Sequence, residues 1–388
     1  MAVYLDHNAT TPLDPRIRAA LEPWAGQRFG NSSSRDHRWG WDAAEAVEAA
    51  RAQVAEALNA PVDGVTFTSG ATEALNTVIR GYVGFDGWAG KKIVTCATEH
   101  EAVLAPCRYL CERTCVALEI LPVDEAGRVD LDRLRASLAG APGALVALMA
   151  ANNETGTLHP LREIADVVHA AEGIFLSDTT QAVGKLPLDL RAAGADFATV
   201  SAHKVYGPKG VGALMDCSGA RRGPIEPLIL GGGQERGVRG GTLNVPGIVG
   251  LGEACRLVQE CLDEDIQRMQ TLRDRLEHGI LSRVDETWVN GDPSSRLCNT
   301  SNVGFRGVDA RVLIRDMHDV AVSTRSACSS GHSGPSHVLK AMGLSDDDAY
   351  SCVRFSLGRF TTEDEIDYAI EKVVISARKL RASRSGGA

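Results

Sequence analysis

Short apolar runs alternate with longer segments of helical periodicity along this chain. Residues 65–68, 92–97 and 144–150 are apolar and β-branched and predict strands. Each is followed by a stretch, 71–82, 101–111 and 161–171, whose apolar positions recur every three to four residues. Strand and helix in that rhythm predict a mainly parallel sheet with helices on both faces. Further short apolar runs at 174–176, 197–200 and 211–215 extend it. A helical pattern then runs from 248 to 284 without a proline, and a smaller α+β pattern restarts at 302–305, 310–317, 320–323, 352–357 and 363–380. The long helix is expected to bridge two domains with a boundary near Glu260: a large one over residues 16–260, and a small one over 1–15 and 261–388. No repeat or Pro/Ser-rich linker separates them, and only the tail 382–388 reads as disordered. A cleft between them, facing the carboxyl ends of the parallel strands, is the expected ligand site.

Composition narrows the function classes. The 388 residues are 44% hydrophobic and 23% charged, ordinary for a globular chain with ample core. Forty glycines gather in clusters such as 231–233 and 237–241, where backbone must bend or approach a ligand. Lys and Arg number 41 against 50 Asp and Glu, a net charge of −9 with no basic stripe, which argues against direct nucleic-acid or anionic-membrane binding. Residues 1–6 carry no basic region ahead of an apolar core, and no apolar run is long enough to span a bilayer, so a cytoplasmic location is expected. Ten scattered cysteines in a chain of this size are expected as free thiols. Cys107, Cys111 and Cys115 recur at helical spacing, yet three thiols without a fourth ligand make a poor metal site, and no metal is expected.

Several segments carry chemistry. Phe67-Thr68-Ser69-Gly70-Ala71-Thr72-Glu73 is a strand, a glycine turn and a helix start whose backbone N–H groups could cap a helix or hold a phosphate. It matches neither common nucleotide motif. The strand at 174–177 ends in Asp178-Thr179-Thr180-Gln181, and the strand at 197–200 ends in Ser201-Ala202-His203-Lys204, so Asp178 and Lys204 should reach the same sheet edge. A lysine amine condenses with an aldehyde once burial or a nearby cation deprotonates it, and an aspartate keeps a pyridine nitrogen protonated. The pair predicts a pyridoxal 5'-phosphate site, with Ser201 and His203 available to the phosphate. Thr98-Glu99-His100 closes another strand at that edge, where the imidazole could lie against a ring, and Asn152-Asn153-Glu154 offers amides to a carboxylate or phenolic oxygen. Arg354, a charge inside an apolar strand, must meet an anion, either a structural carboxylate or a substrate's. Cys328 sits in the small-residue stretch 325–335, a composition that predicts a mobile loop with an accessible nucleophilic thiol.

Read together, these segments resemble the pyridoxal phosphate-dependent cysteine desulfurases of the class V aminotransferase family, in the branch similar to the iron–sulfur cluster and nitrogen-fixation enzymes. The match runs through Tyr4 to Pro12, Phe29-Gly30-Asn31, Phe67 to Ala74, Thr98 to His100, Asn152 to Gly156, Asp178 to Gln181, Ser201 to Gly212, Gly231 to Leu243 and Arg354 to Thr362. The resemblance implies an α/β fold-type I architecture, its large domain built on a mainly parallel seven-stranded sheet beside a smaller α+β domain, and a homodimer. It implies that Lys204 carries the cofactor covalently, that His100 stacks on its ring and also serves catalysis, and that Asp178 and Gln181 meet the ring nitrogen and the phenolic oxygen. Thr72, Ser201 and His203 match phosphate contacts, and Thr242 matches one supplied by the neighbouring subunit. Asn153 and Arg354 match residues that hold the substrate carboxylate. L-cysteine would give L-alanine, its sulfur passing to Cys328 as a persulfide and on to an acceptor protein.

His7-Asn8 and Ser177-Asp178-Thr179-Thr180 depart from the usual neighbours of these motifs without removing a functional group. The chain also stops soon after Leu380, where members that dock on iron–sulfur scaffolds often carry a longer tail. The acceptor stays open among iron–sulfur assembly, tRNA thiolation, DNA phosphorothioation and sulfur-containing metabolites. Two other readings compete: a C–S or C–Se lyase or aminotransferase on the same fold, which needs no Cys328, and a non-catalytic persulfide carrier, which needs no cofactor.

Overall fold

The computed structural model describes residues 2–84, 90–219, 225–324 and 334–385, so Cys328 and the rest of 325–333 lie outside the described residues. In chain order the first half comprises β1 (Val3–Tyr4), α1 (Pro15–Ala25), α2 (Arg38–Leu58), β2 (Val65–Thr68), α3 (Ala71–Gly84), β3 (Lys92–Cys96), α4 (Glu101–Arg113), β4 (Ala117–Leu121), α5 (Leu131–Leu138), β5 (Leu145–Ala147), α6 (Leu161–Ala170) and β6 (Ile174–Ser177). There follow α7 (Leu190–Ala193), β7 (Phe197–Ser201), β8 (Gly212–Asp216), α8 (Val245–Leu281), β9 (Thr287–Asn290), β10 (Thr300–Phe305), α9 (Ala310–Asp316), β11 (Val320–Ala321), α10 (His337–Ala341), α11 (Asp346–Tyr350), β12 (Cys352–Ser356) and α12 (Glu363–Ser385).

Seven strands form the main sheet in the order β2-β8-β7-β6-β5-β3-β4, all parallel except β8, which runs against both neighbours. Successive side chains of its central strands serve opposite faces, as strand geometry demands. Ile93, Leu145 and Ile174 pack with α3 and α4, whereas Val94, Val146 and Phe175 pack with α5 and α6. That double burial is why these strands read as unbroken apolar runs. The expected α/β class with a mainly parallel sheet is what the chain forms.

Helix α8 serves two cores. Asn244 caps it by accepting from Gly247 N at 3.1 Å, and Pro246 sits in its first turn, where a missing N–H costs nothing. Ile248 and Leu251 pack with α2 over the β2 end of the main sheet, while Leu272, Leu276 and Ile280 pack with Val303, Phe305, Val353 and Phe355 of a second sheet. This second sheet is antiparallel, ordered β12-β10-β9, and a two-stranded parallel ladder joins β1 to β11. The chain end departs from expectation: 382–385 continue α12 rather than being disordered. Arg378 and Arg381 on that helix donate to the carbonyls of Arg283 and Asp285, tying its last turns to the loop after α8.

Candidate active site

The carboxyl ends of β2, β3, β5, β6 and β7 open into one cavity of about 460 Å³. Its lining includes Thr72, His100, Asn153, Asp178, Gln181, Ser201, His203, Lys204 and Arg354, so nine of the eleven residues singled out from the sequence meet in one place. Thr242 is exposed and takes no part in this lining, and Cys328 lies outside the described residues.

At one end stands the turn between β2 and α3. Gly70 there has φ +153°, and a side chain on Gly212 of the neighbouring strand would come within 2.7 Å of the Gly70 Cα, so this close approach requires glycine. Glu73 Oε2 accepts from Ser69 N at 2.9 Å and Arg239 donates to Glu73 Oε1 at 2.9 Å. The backbone N–H groups of Ala71, Thr72 and Glu73 donate to nothing among the described residues. Together with the Thr72 and Ser201 hydroxyls and the His203 ring, they form an anion cradle at the positive end of a helix. Burial, then the charges of Lys204, Lys209 and Lys185, lower the His203 pKa to about 4, so its imidazole is neutral.

In the middle, β6 delivers Asp178 and β7 delivers Lys204. Asp178 Oδ1 accepts from Thr180 N at 3.0 Å and Thr199 Oγ1 at 3.3 Å, and its other oxygen accepts nothing among the described residues. Thr180 Oγ1, also on the lining, is buried with no hydrogen-bond partner among the described residues. Lys204 Nζ donates to the carbonyls of Asn8 and Ala9 at 2.5 and 2.9 Å. The turn after it is held by Tyr206 in the left-handed region at φ 65°, unusual for an aromatic residue and costly by about 1 kcal/mol or more. Thr11 Oγ1, accepting from Tyr206 N and donating to His203 O, fixes it.

His100 caps α4 by accepting at Nδ1 from Ala102 N at 3.0 Å, which puts its proton on Nε2. Beside it, burial and then the Asp178 charge raise the Glu99 pKa to about 8; Glu99 Oε1 accepts from Met149 N at 2.6 Å, locking the ends of β3 and β5 together. On the far side Arg354, 1% exposed, donates to Asp6 Oδ1 at 2.6 Å and Asn153 O at 3.0 Å, and its Nε has no partner among the described residues. The structural anion for Arg354 is thus Asp6, while the guanidinium still borders the cavity.

Sequence reasoning assigned no role to Asn8, Asp6, Thr180 or Lys185. Asn8 is the hub of the far wall: its carbonyl takes Lys204 and Gln181, and its amide reaches Asn153 O and Thr300 Oγ1. The one signal available was the polar run Asp6-His7-Asn8 directly after apolar Val3 to Leu5.

The class-V aminotransferase family model matches residues 3–369. The chain belongs to that family. Within it, cysteine desulfurases are the relatives: "Cysteine desulfurase IscS" of Anaeromyxobacter sp. (strain Fw109-5) is 47% identical over 382 residues, covering 98% of this chain and 93% of the relative. A solved NifS-like protein superposes with a TM-score of 0.89 at 34% identity over 97% of this chain and 99% of its own. The structure of SspA in complex with cysteine superposes at 0.81 and 31% identity, over 93% and 100%. For this class-V aminotransferase the donor set can be tested against the family's cofactor, pyridoxal phosphate. A helix-start cradle fits a phosphate, the half-engaged Asp178 carboxylate fits a protonated ring nitrogen, and a partly buried lysine fits an aldehyde, so the residues present suit the group.

No described helix is long and apolar enough to cross a membrane, and the nine described cysteines are free thiols.

Proposed function

We propose that this chain converts L-cysteine to L-alanine, bound to pyridoxal 5'-phosphate, and passes the sulfur through Cys328 to an acceptor protein. The carrying observation is that Asp178 and Lys204 share one cavity at the carboxyl ends of adjacent strands, in a member of the cysteine desulfurase group. On this reading residues 16–260 hold the cofactor, while 1–15 and 261–388 carry Cys328 and Arg354. Homodimer formation, with Thr242 reaching the partner's phosphate site, belongs to the same reading.

Bound there, the cofactor supplies an aldehyde for amines and a protonated ring that draws off the electron pair left when the substrate's α proton leaves. Lys204 would provide the amine that holds the cofactor, and the same Nζ is a base of the right kind for that proton. Asp178 keeps the ring nitrogen protonated, and the Ala71–Glu73 N–H groups with Thr72, Ser201 and His203 bind the phosphate. His100, its ring turned by the cap bond to Ala102, is the residue that would cover the ring face. Arg354 and Asn153 hold the substrate carboxylate, a task for which a planar, permanently charged guanidinium is suited. The Cys328 thiolate attacks the substrate sulfur: an S–S bond forms, the Cβ–S bond breaks, and the electron pair stays with the carbon fragment, which is protonated to alanine.

The test is direct. Purified chain incubated with pyridoxal phosphate should show a visible absorption band, and borohydride should fix the cofactor on the peptide containing Lys204. Cysteine should yield one alanine per sulfur released. Cys328→Ala should keep the band and lose sulfur release; sulfide at the wild-type rate would refute the role of Cys328, and a colourless protein would refute the enzyme reading in favour of a carrier.

A further inference from the structure

One buried cation goes unused in that chemistry. Lys185 is 6% exposed, yet no carboxylate lies within ion-pair distance of it among the described residues. Its Nζ donates instead to Gln181 Oε1 at 2.7 Å and to the Gln181 carbonyl at 3.3 Å. Gln181 lines the cavity, whereas Lys185 stands behind it.

This contact decides which way the Gln181 amide faces. Gln181 Nε2 donates to Asn8 O at 3.0 Å, the same carbonyl that receives Lys204. A flipped amide would set Oε1 against the Asn8 carbonyl, two acceptors face to face, and Nε2 against the Lys185 amine, two donors. The orientation is therefore fixed from both sides. An Nε2 group has two hydrogens, and the second meets no acceptor among the described residues.

We propose that Lys185 is a positioning residue for the cofactor: its hydrogen bond holds the Gln181 amide so that the remaining N–H faces the phenolic oxygen of the ring. This rests on the reading above, in which Gln181 meets that oxygen. The arrangement tolerates titration of Lys185. Burial first, then the charges of Lys204 and Arg354, lower its pKa to about 7 against the opposing pull of Cys298, and His7 and His203 also feel its charge. Charged or neutral, the amine keeps an N–H to donate, and in the neutral form the Asn8 carbonyl is what excludes the flipped amide.

The readout is the bound cofactor's visible spectrum as a function of pH. An N–H donated to the ring oxygen stabilises the form with more negative charge there, the one that has lost a proton, so removing it raises the midpoint of the band's titration. Lys185→Met should load with pyridoxal phosphate and shift that midpoint up by on the order of one pH unit. Lys185→Gln, which keeps a donor but no charge, should return to within about 0.3 unit of the wild type. A wild-type midpoint in Lys185→Met overturns the proposal; so does an equal shift in Lys185→Gln, which would assign the effect to charge. If Lys185→Met fails to fold, Gln181→Met replaces it: adding Lys185→Gln to Gln181→Met must move the midpoint no further, and an added shift overturns the proposal. A wild-type protein without a visible band defeats the desulfurase reading itself, a different observation.

Discussion

The two walls of the cavity are built in opposite ways. On the sheet wall, Asp178, Gln181, Ser201, His203 and Lys204 come from the carboxyl ends of two neighbouring parallel strands, β6 and β7, and the stretches directly after them. On the far wall, Asn8, Asn153 and Arg354 come from three distant stretches, and behind it the ion pair between Asp6 and Arg354 joins residues 348 apart in sequence. The sheet positions the first wall whatever its side chains are. The second wall is positioned by its own side chains, each holding the next. A substitution on the sheet wall should therefore strike chemistry and spare the fold, and one on the far wall should strike both.

Lys204→Ala gives the largest separation. Turnover should fall by about a thousandfold or more, the scale of losing a positioned proton-transfer group, and borohydride should fix no cofactor to the chain. Thermal melting should stay near the wild-type temperature, because the Asn8 and Ala9 carbonyls that lose Lys204 border a cavity large enough for water. A melting temperature that collapsed together with activity would erase the contrast between the walls.

Arg354→Ala is the matching cut on the far wall. Asp6, itself part-exposed, and the Asn153 carbonyl then both lose their donor, and losing a charged hydrogen bond of this kind costs about 1.5–3 kcal/mol. Denaturant unfolding should show that loss, and the KM for cysteine should rise at least about tenfold, as expected from removing a charged hydrogen bond. Arg354→Lys should recover only part of each, since an ammonium cannot reach both Asp6 and the Asn153 carbonyl with the planar fork seen here. Unchanged unfolding with a raised KM would mean that the far wall is not self-supporting.

The same contrast explains what could be read in the sequence. Asp178 and Lys204 were legible because each closes an apolar run of four or five residues, and parallel strands present consecutive chain ends on one edge. Strands β4 and β9 were missed: Glu119 interrupts the apolar run of β4 in its middle, and β9 has only Trp288 and Val289 between Thr287 and Asn290. Asn8 was illegible for a different reason. Residues 8–14 form no helix or strand, and what makes Asn8 a hub is a backbone carbonyl, which every residue possesses. Arg354 announced a buried anion, but which anion depended on β12 lying beside the N-terminal segment, a pairing that no local pattern encodes. Lys185 carries no local signal, because its burial comes from tertiary packing that no periodicity encodes.

Asn8→Ala refines the comparison at smaller cost. Its side chain accepts from Asn299 and donates to Thr300 and Asn153, so truncation should destabilise by about 1–3 kcal/mol. Its carbonyl survives the substitution, so Lys204 and Gln181 keep their acceptor. The cofactor's spectrum should therefore match the wild type while unfolding comes earlier. A displaced absorption maximum would show that the two walls are mechanically one.

The smallest effect is a pH dependence carried by two histidines, one on the sheet wall and one behind the far wall. His7 on the far side and His203 on the sheet side both have a pKa lowered from 6.5 to about 4. In the unfolded chain both take up protons near their ordinary value, so between pH 6.5 and 4 the unfolded state binds more protons than the folded one. Stability is then fully present above pH 6.5 and falls as the pH drops towards 4. The causes differ after burial: three lysines, Lys204, Lys209 and Lys185, further depress His203, whereas at His7 the Ser356 carbonyl opposes burial and the charges of Lys185 and Asp6 act in opposite directions and offset each other. Charge contributions are screened by salt and burial is not. Melting temperatures followed from pH 6.5 to 4 should thus decline less steeply in His203→Gln and in His7→Gln than in the wild type. Added salt should shrink the difference for His203→Gln and leave that for His7→Gln in place. Equal sensitivity to salt at both positions would mean that the lysines crowding the sheet wall do not set its electrostatics.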